Sequence, residues 1–147
     1  MSHPTRVSIL GATGSIGTST LRVLDHNPDQ FSVVSVVAQR NVERLAEIAL
    51  RTRAEYAAVA DERQFAALKD RLSGSDVEVG AGIEAIAEAA SRQADVVVSA
   101  ITGYAGLRST LAAARSGANL ALANKEAMVT AGAMVKAALA HGGGTLS

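Results

Sequence analysis

The chain has 147 residues, 48% hydrophobic and 19% charged, with Lys+Arg and Asp+Glu at 14 each and a formal net charge of zero. That length suits one domain with a sizeable core, and the even charge excludes the basic surplus of a phosphate-backbone binder. No cysteine occurs, so disulfides, thiolate catalysis and cysteine-held metal are excluded within this chain.

In chain order, Arg6–Leu10 reads as a first strand. Ser15–His26 follows as a helix, with Ile16, Thr20, Val23 and Leu24 at three- and four-residue spacing. Asn27-Pro28-Asp29 stops it, since proline cannot continue a helix. Phe31–Ala38, "FSVVSVVA", is β-branched and almost continuously apolar, as suits a strand covered on both faces. Asn41–Arg53 reads as a helix with Asn41 as N-cap and Val42, Leu45, Ile48 and Ala49 on one face. Tyr56–Ala60 is a third strand, and Asp61–Leu72 a helix with Asp61 in capping position. A short strand at Val77–Val79 precedes an alanine-rich helix, Ile83–Arg92. Ala94–Ala100, "ADVVVSA", is a fifth strand. A helix over Gly106–Ser116 ends at Gly117, a suitable C-cap. Asn119–Ala123 is a sixth strand, Glu126–His141 a last helix, and Thr145–Ser147 the start of another strand. Strands alternating with helices of these lengths predict an α/β chain: a Rossmann-like, doubly wound, mostly parallel sheet with helices on both faces. Ligands of that plan bind at the carboxyl ends of the strands.

The first strand runs into "ILGATGSIGTSTL", where Gly11, Gly14 and Gly17 stand three apart. A glycine turn between a strand and a helix start makes an anion site, because the first helical N–H groups are unpaired and the helix dipole favours negative charge. Gly11 serves the tight turn, Gly14 the close approach of a pyrophosphate, and Gly17 the close packing of helix on strand. Thr13 and Ser15 add hydroxyl donors. The spacing departs from G-x-G-x-x-G, but the flanking strand and helix are those the motif requires.

The end of the second strand selects the nucleotide. Dinucleotide sites commonly carry an acid there for a ribose 2′-hydroxyl, or an arginine for a 2′-phosphate. Here it reads Val37-Ala38-Gln39-Arg40-Asn41. Arg40 in place of an acid favours NADP(H) over NAD(H), since a guanidinium binds phosphate bidentately. After the fifth strand, Ser99 to Gly106 reads as a glycine-containing backbone loop beside the cofactor. After the sixth, Asn124, Lys125 and Glu126 bring an amide, a cation and an acid to the same edge.

Other partners find no support. Phe31, Tyr56, Phe65 and Tyr104 are too few and scattered for base stacking. His3, His26 and His141 show no metal spacing. No signal-peptide core and no run of about 18 apolar residues is visible. The expectation is a soluble, cytoplasmic protein with neither nucleic acid nor membrane as a partner.

Taken together, "ILGATGSIGTSTL", the "NP" after the first helix, the "NV" after the second strand, "GYAGL" and above all "LANKE" resemble the N-terminal domain of the 1-deoxy-D-xylulose 5-phosphate reductoisomerase family. The resemblance runs from Arg6 to the end of the chain. It implies an NADPH-binding domain over residues 1–147 of an enzyme that makes 2-C-methyl-D-erythritol 4-phosphate for isoprenoid synthesis, with Mg²⁺ or Mn²⁺, as a homodimer. By position, Thr13, Gly14, Ser15 and Ile16 would bind the pyrophosphate, and Arg40 and Asn41 the 2′-phosphate. Asn124 and Glu126 would position the nicotinamide half, and Lys125 would reach the substrate. Gln39 departs from the glycine of many members. The metal ligands, phosphate site, lid and C-terminal helical domain would follow the last strand, so this chain by itself is expected to be inactive. Two other readings stay open: another NADP-dependent reductase, and a non-catalytic NADP-sensing module. The Tyr-x-x-x-Lys signature of short-chain reductases is absent, because Ala60 and Arg108 follow Tyr56 and Tyr104 at that spacing.

Overall fold

In the computed structural model, residues 3–101, 103–122 and 142–144 are described. Strands and helices alternate: β1 Thr5–Leu10, α1 Ser15–His26, β2 Phe31–Ala38, α2 Val42–Thr52, β3 Tyr56–Val59, α3 Phe65–Arg71, β4 Glu78–Ala81, α4 Ile83–Ser91, β5 Val96–Ser99, α5 Gly103–Arg115 and β6 Asn119–Leu122. Asn41 caps α2 as expected, its side chain accepting from the Arg44 N–H. The helix expected over Asp61–Leu72 divides into a 3-10 turn, Glu62–Gln64, and the shorter α3. The division follows from Asp61, whose carboxylate takes the Arg63 N–H at 3.0 Å and tightens the first turn. The expected helix Glu126–His141 and strand Thr145–Ser147 lie outside the described residues.

The six strands form one sheet in the order β4-β3-β2-β1-β5-β6, and every pairing is parallel. The chain steps outward from β1 to β4, and α4 then carries it back to β5 on the other side of β1. A right-handed crossover running the opposite way covers the opposite face of the sheet. Accordingly Leu21, Leu24, Leu45, Ile48 and Leu68 of α1, α2 and α3 pack with Val7, Ile9 and Val36 on one face. Ile86, Ala89, Ala90, Ala113 and Ala114 of α4 and α5 pack with Leu10, Val37 and Val97 on the other. Each large apolar side chain buried this way stabilises the fold by about 1.5–3 kcal/mol before conformational entropy is counted.

One helix sits differently from its pattern. The buried residues of α1 are Gly17, Leu21 and Leu24, whereas Ile16 and Val23 of the expected stripe are 47% and 56% exposed. Gly17 presses against the backbone of the preceding loop, and that contact sets the rotation of the helix. Residues 16 and 23 each precede an inward residue and are turned out by about 100°.

The α4/α5 side of the sheet also holds hydroxyls. Ser99 and Thr110 hydrogen-bond to each other at 2.9 Å in the core, while the Ser8 and Ser35 hydroxyl oxygens are buried with no partner among the described residues. Ser99→Ala is therefore expected to cost about 1–2 kcal/mol by orphaning Thr110. Ser35→Ala is expected to leave stability unchanged or raise it, since it removes an unsatisfied group. Urea unfolding of the two variants side by side checks this contrast.

Candidate functional site

The sheet reverses its winding direction between β1 and β5, where Leu10 pairs with Ser99 at the carboxyl ends. A crevice opens there in folds of this plan. The loop leaving β1 folds back over β2, with the Gly11 and Ala12 N–H groups both donating to the Val37 carbonyl at 2.9 and 2.8 Å. Gly11 holds φ +96°, and a Cβ on it would stand 3.1 Å from the Ala100 carbonyl oxygen. Any side chain would meet both strain and contact at that position. A Cβ on Gly17 would lie 2.3 Å from the Gly11 carbonyl oxygen and 2.6 Å from the Ala12 Cα. The first and third glycines thus serve the protein's own packing.

Gly14 is different. It is exposed, its backbone is extended (φ −79°, ψ 178°), and a Cβ there would meet only the Gly11 carbonyl oxygen, at an ordinary 3.6 Å. Among the described residues nothing requires glycine at this position. Gly14 is also the N-cap of α1 and supplies no side-chain cap, and the first turn carries no acid. The helix start therefore presents uncapped N–H groups and the positive end of its dipole with no acid in its own first turn to oppose it.

At the end of β2, Gln39 and the exposed Arg40 and Asn41 lead into α2. The Arg40 carbonyl accepts from the Val42 N–H at 2.8 Å, and Asn41 Oδ1 from the Arg44 N–H at 3.1 Å. Part of the Asn41 amide is thus already engaged as a cap. Among the described residues Arg40 makes no ion pair. At the end of β3, the Asp61 N–H donates to the Gln39 carbonyl at 2.9 Å, which brings Asp61 beside this corner. The Asp61 carboxylate is gripped by Arg63 through Nε at 3.0 Å and a terminal nitrogen at 3.1 Å. Those hydrogen bonds hold its carboxyl below the usual range, and the Arg40 charge acts in the same direction.

Between these corners lies a cleft of about 260 Å³ lined by Gly11, Thr13, Gly14, Gln39, Ala60 and Ile86, among others. It links the glycine loop to the end of β2. Gly11, Thr13 and Gly14 line it, Ser15 and Ile16 follow on the exposed first turn of α1, and Arg40 and Asn41 follow Gln39 at the far end. Asn124, Lys125 and Glu126 lie outside the described residues. The Ser99–Gly106 loop is corrected: α5 starts at Gly103, which leaves a shorter connection after β5. Glycine lowers helix propensity by only about 1 kcal/mol, which tertiary packing overrides. Ala100 and Ile101, within the segment expected beside the cofactor, line the cleft, and so do Ala60 and Ile86, which sequence reasoning did not select. Ala60 was within reach, since it directly follows a strand. Ile86 gave no signal beyond being apolar on a helix.

A larger depression of about 730 Å³ at the outer edge is lined by Glu62, Glu84 and Glu88 with Tyr56 and Phe65. Its carboxylates disfavour a phosphate ligand. Burial pushes the Tyr56 hydroxyl up, and its hydrogen bond to Glu88 adds to that, so the group stays protonated. Among the described residues no cluster of His, Asp or Glu could hold a metal ion, and no helix is long and apolar enough to cross a membrane.

A parallel sheet with a glycine loop, an uncapped helix start and an arginine at the end of β2 defines a dinucleotide-binding domain of the Rossmann type. The sequence model described as 1-deoxy-D-xylulose 5-phosphate reductoisomerase matches residues 7–132. The chain belongs to that family. It is 49% identical over 99% of its length to the reductoisomerase of Zymomonas mobilis, and 52% identical over 96% to that of Rhizobium meliloti. It spans 38% and 37% of those two relatives. Among solved structures it resembles the Zymomonas mobilis enzyme in complex with NADPH, with a TM-score of 0.95 at 49% identity, covering 99% of this chain and 39% of that one. It also resembles a reductoisomerase in complex with NADPH, fosmidomycin and magnesium, with a TM-score of 0.91 at 36% identity, covering 97% and 35%.

Proposed function

We propose that this chain is the NADPH-binding domain of a reductoisomerase that converts 1-deoxy-D-xylulose 5-phosphate into 2-C-methyl-D-erythritol 4-phosphate. The observation that carries the reading is Gly14. Among the described residues nothing needs a glycine there, and its bare backbone opens onto the uncapped start of α1. A pyrophosphate seated at Thr13, Gly14, Ser15 and Ile16 uses that bareness. The adenosine half then runs along the cleft past Ala60 and Ile86 toward Arg40 and Asn41, which hold the 2′-phosphate. Arg40 supplies charge and a bidentate fork, and the free part of the Asn41 amide supplies a donor. Asn124 and Glu126 position the nicotinamide half, and Lys125 reaches the sugar phosphate.

Bound NADPH supplies the hydride for an aldehyde; this chain's residues hold it and orient it. The described residues do not fit a divalent metal, so no step here runs through one. Solved reductoisomerases are in complex with magnesium, and we assign the Mg²⁺ or Mn²⁺ of the whole enzyme to residues outside the described ones, among which no His, Asp and Glu cluster could hold it. The same reading makes the whole protein a cytoplasmic homodimer, with residues 1–147 as its cofactor half.

Fluorescence titration of the chain tests this. NADPH is expected to bind more tightly than NADH. Gly14→Val is expected to weaken NADPH at least about tenfold by filling the approach, with the melting temperature lowered by only about 2–4 °C, the cost of a poor N-cap residue. Without the substrate half, the chain is expected to consume no NADPH when given the sugar phosphate and Mn²⁺. Detectable consumption would overturn the expectation that this chain alone is inactive, and a Gly14→Val variant that binds normally would refute the pyrophosphate assignment.

A further inference from the structure

The corner where β2 and β3 end holds more charge than the cofactor reading uses. Asp61 is tied to the β2 end through its N–H bond to the Gln39 carbonyl at 2.9 Å, one residue before Arg40. Its side chain is only 12% exposed, whereas that of Arg63 is 84% exposed. Arg63 contacts the carboxylate three times: through its backbone N–H and Nε on Oδ1, each at 3.0 Å, and through a terminal nitrogen on Oδ2 at 3.1 Å. Both carboxylate oxygens are therefore engaged. Arg40, one residue past the tie, has no ion-pair partner among the described residues, and its charge reaches Asp61.

A carboxylate at this corner would work against a 2′-phosphate in two ways. It would repel the phosphate, and it would offer Arg40 a competing partner. We propose that Arg63 is a positioning residue for cofactor choice: by chelating Asp61 it neutralises the acid beside Arg40 and keeps the 2′-phosphate subsite cationic. The inference rests on the assignment of that subsite to Arg40. It adds a residue on β3's trailing turn, outside the glycine loop and the β2 end. NADH carries no 2′-phosphate and so should be indifferent to the neutralisation.

The alternative is that the pair only shapes the 3-10 turn. A structural role would affect both cofactors alike, so their ratio separates the two. The test titrates NADPH and NADH against the wild-type chain, Arg63→Gln, Asp61→Asn and the double variant at low ionic strength. Asparagine keeps an oxygen to cap the turn, and thermal melts of all four proteins monitor folding. For Arg63→Gln, NADPH affinity is expected to fall about threefold to tenfold, with NADH within twofold of wild type. The loss should shrink in high salt. Adding Asp61→Asn to Arg63→Gln should restore NADPH binding to within about twofold of wild type. Equal losses for both cofactors, no loss, or no rescue by Asp61→Asn overturns the proposal while leaving the cofactor assignment standing. A wild-type chain with no preference for NADPH overturns that assignment and this proposal together.

Discussion

Gly17→Ala is expected to destabilise the chain by about 2 kcal/mol or more and to abolish NADPH binding. On propensity alone the change should help, because alanine in a helix interior is about 1 kcal/mol better than glycine. Packing reverses that sign. The new Cβ would stand 2.3 Å from the Gly11 carbonyl oxygen, 2.6 Å from the Ala12 Cα and 2.7 Å from the Ala12 carbonyl carbon. All three are backbone atoms, with no rotamer to change, so the start of α1 must withdraw from the loop. Withdrawal loosens Leu21 and Leu24 from the core and misplaces the first-turn N–H groups. Urea unfolding and NADPH titration of the same variant check both consequences. A stable variant that still binds would mean that the glycine loop tolerates a shifted helix. Gly14→Val separates the two roles, since binding should fail there with only the small stability cost of a poor N-cap residue.

Arg40→Glu is expected to weaken NADPH by about 2–4 kcal/mol, roughly 30-fold to 1,000-fold, and to leave NADH binding equal or improved. The loss combines a forfeited charge-assisted bidentate contact with repulsion of the 2′-phosphate. The gain for NADH arises because a carboxylate at this position accepts hydrogen bonds from the ribose hydroxyls. Arg40 is exposed and outside the core, so the melting temperature should not move. Fluorescence titration with each cofactor reads the selectivity. If NADPH and NADH bind the wild-type chain equally, Arg40 does not contact the 2′-phosphate.

Much of the architecture was legible because parallel strands buried on both faces read as β-branched runs. "FSVVSVVA" corresponds to β2, with its last six residues buried. The apolar face of α2 was equally clear, since Val42, Leu45, Ile48 and Ala49 are all buried. The site was legible where chemistry demands an unusual residue: three glycines in a turn and an arginine where an acid is common. It was not legible where ordinary apolar residues do the work. Ile86 lines the cleft only because α4 crosses back over the sheet, and nothing local in Ile83–Ser91 records that path.

By itself the sequence determined the alternation of strands and helices, the glycine turn before α1, the charge at the end of β2 and the family. Those features follow from local periodicity and residue chemistry. The tertiary structure alone decided the rotation of α1, the place of β4 at the far edge of the sheet, the clamp of Arg63 on Asp61 beside Arg40, and which glycine the fold does not need. The place of β4 and the tie of Asp61 to Gln39 depend on residues far apart in the chain meeting at hydrogen-bond distance, and the rotation of α1 and the Arg63 clamp depend on close local contacts that residue patterning does not record. Periodicity shows that a helix has an inward face, but only the close approach of Gly17 to Gly11 and Ala12 decides which face it is.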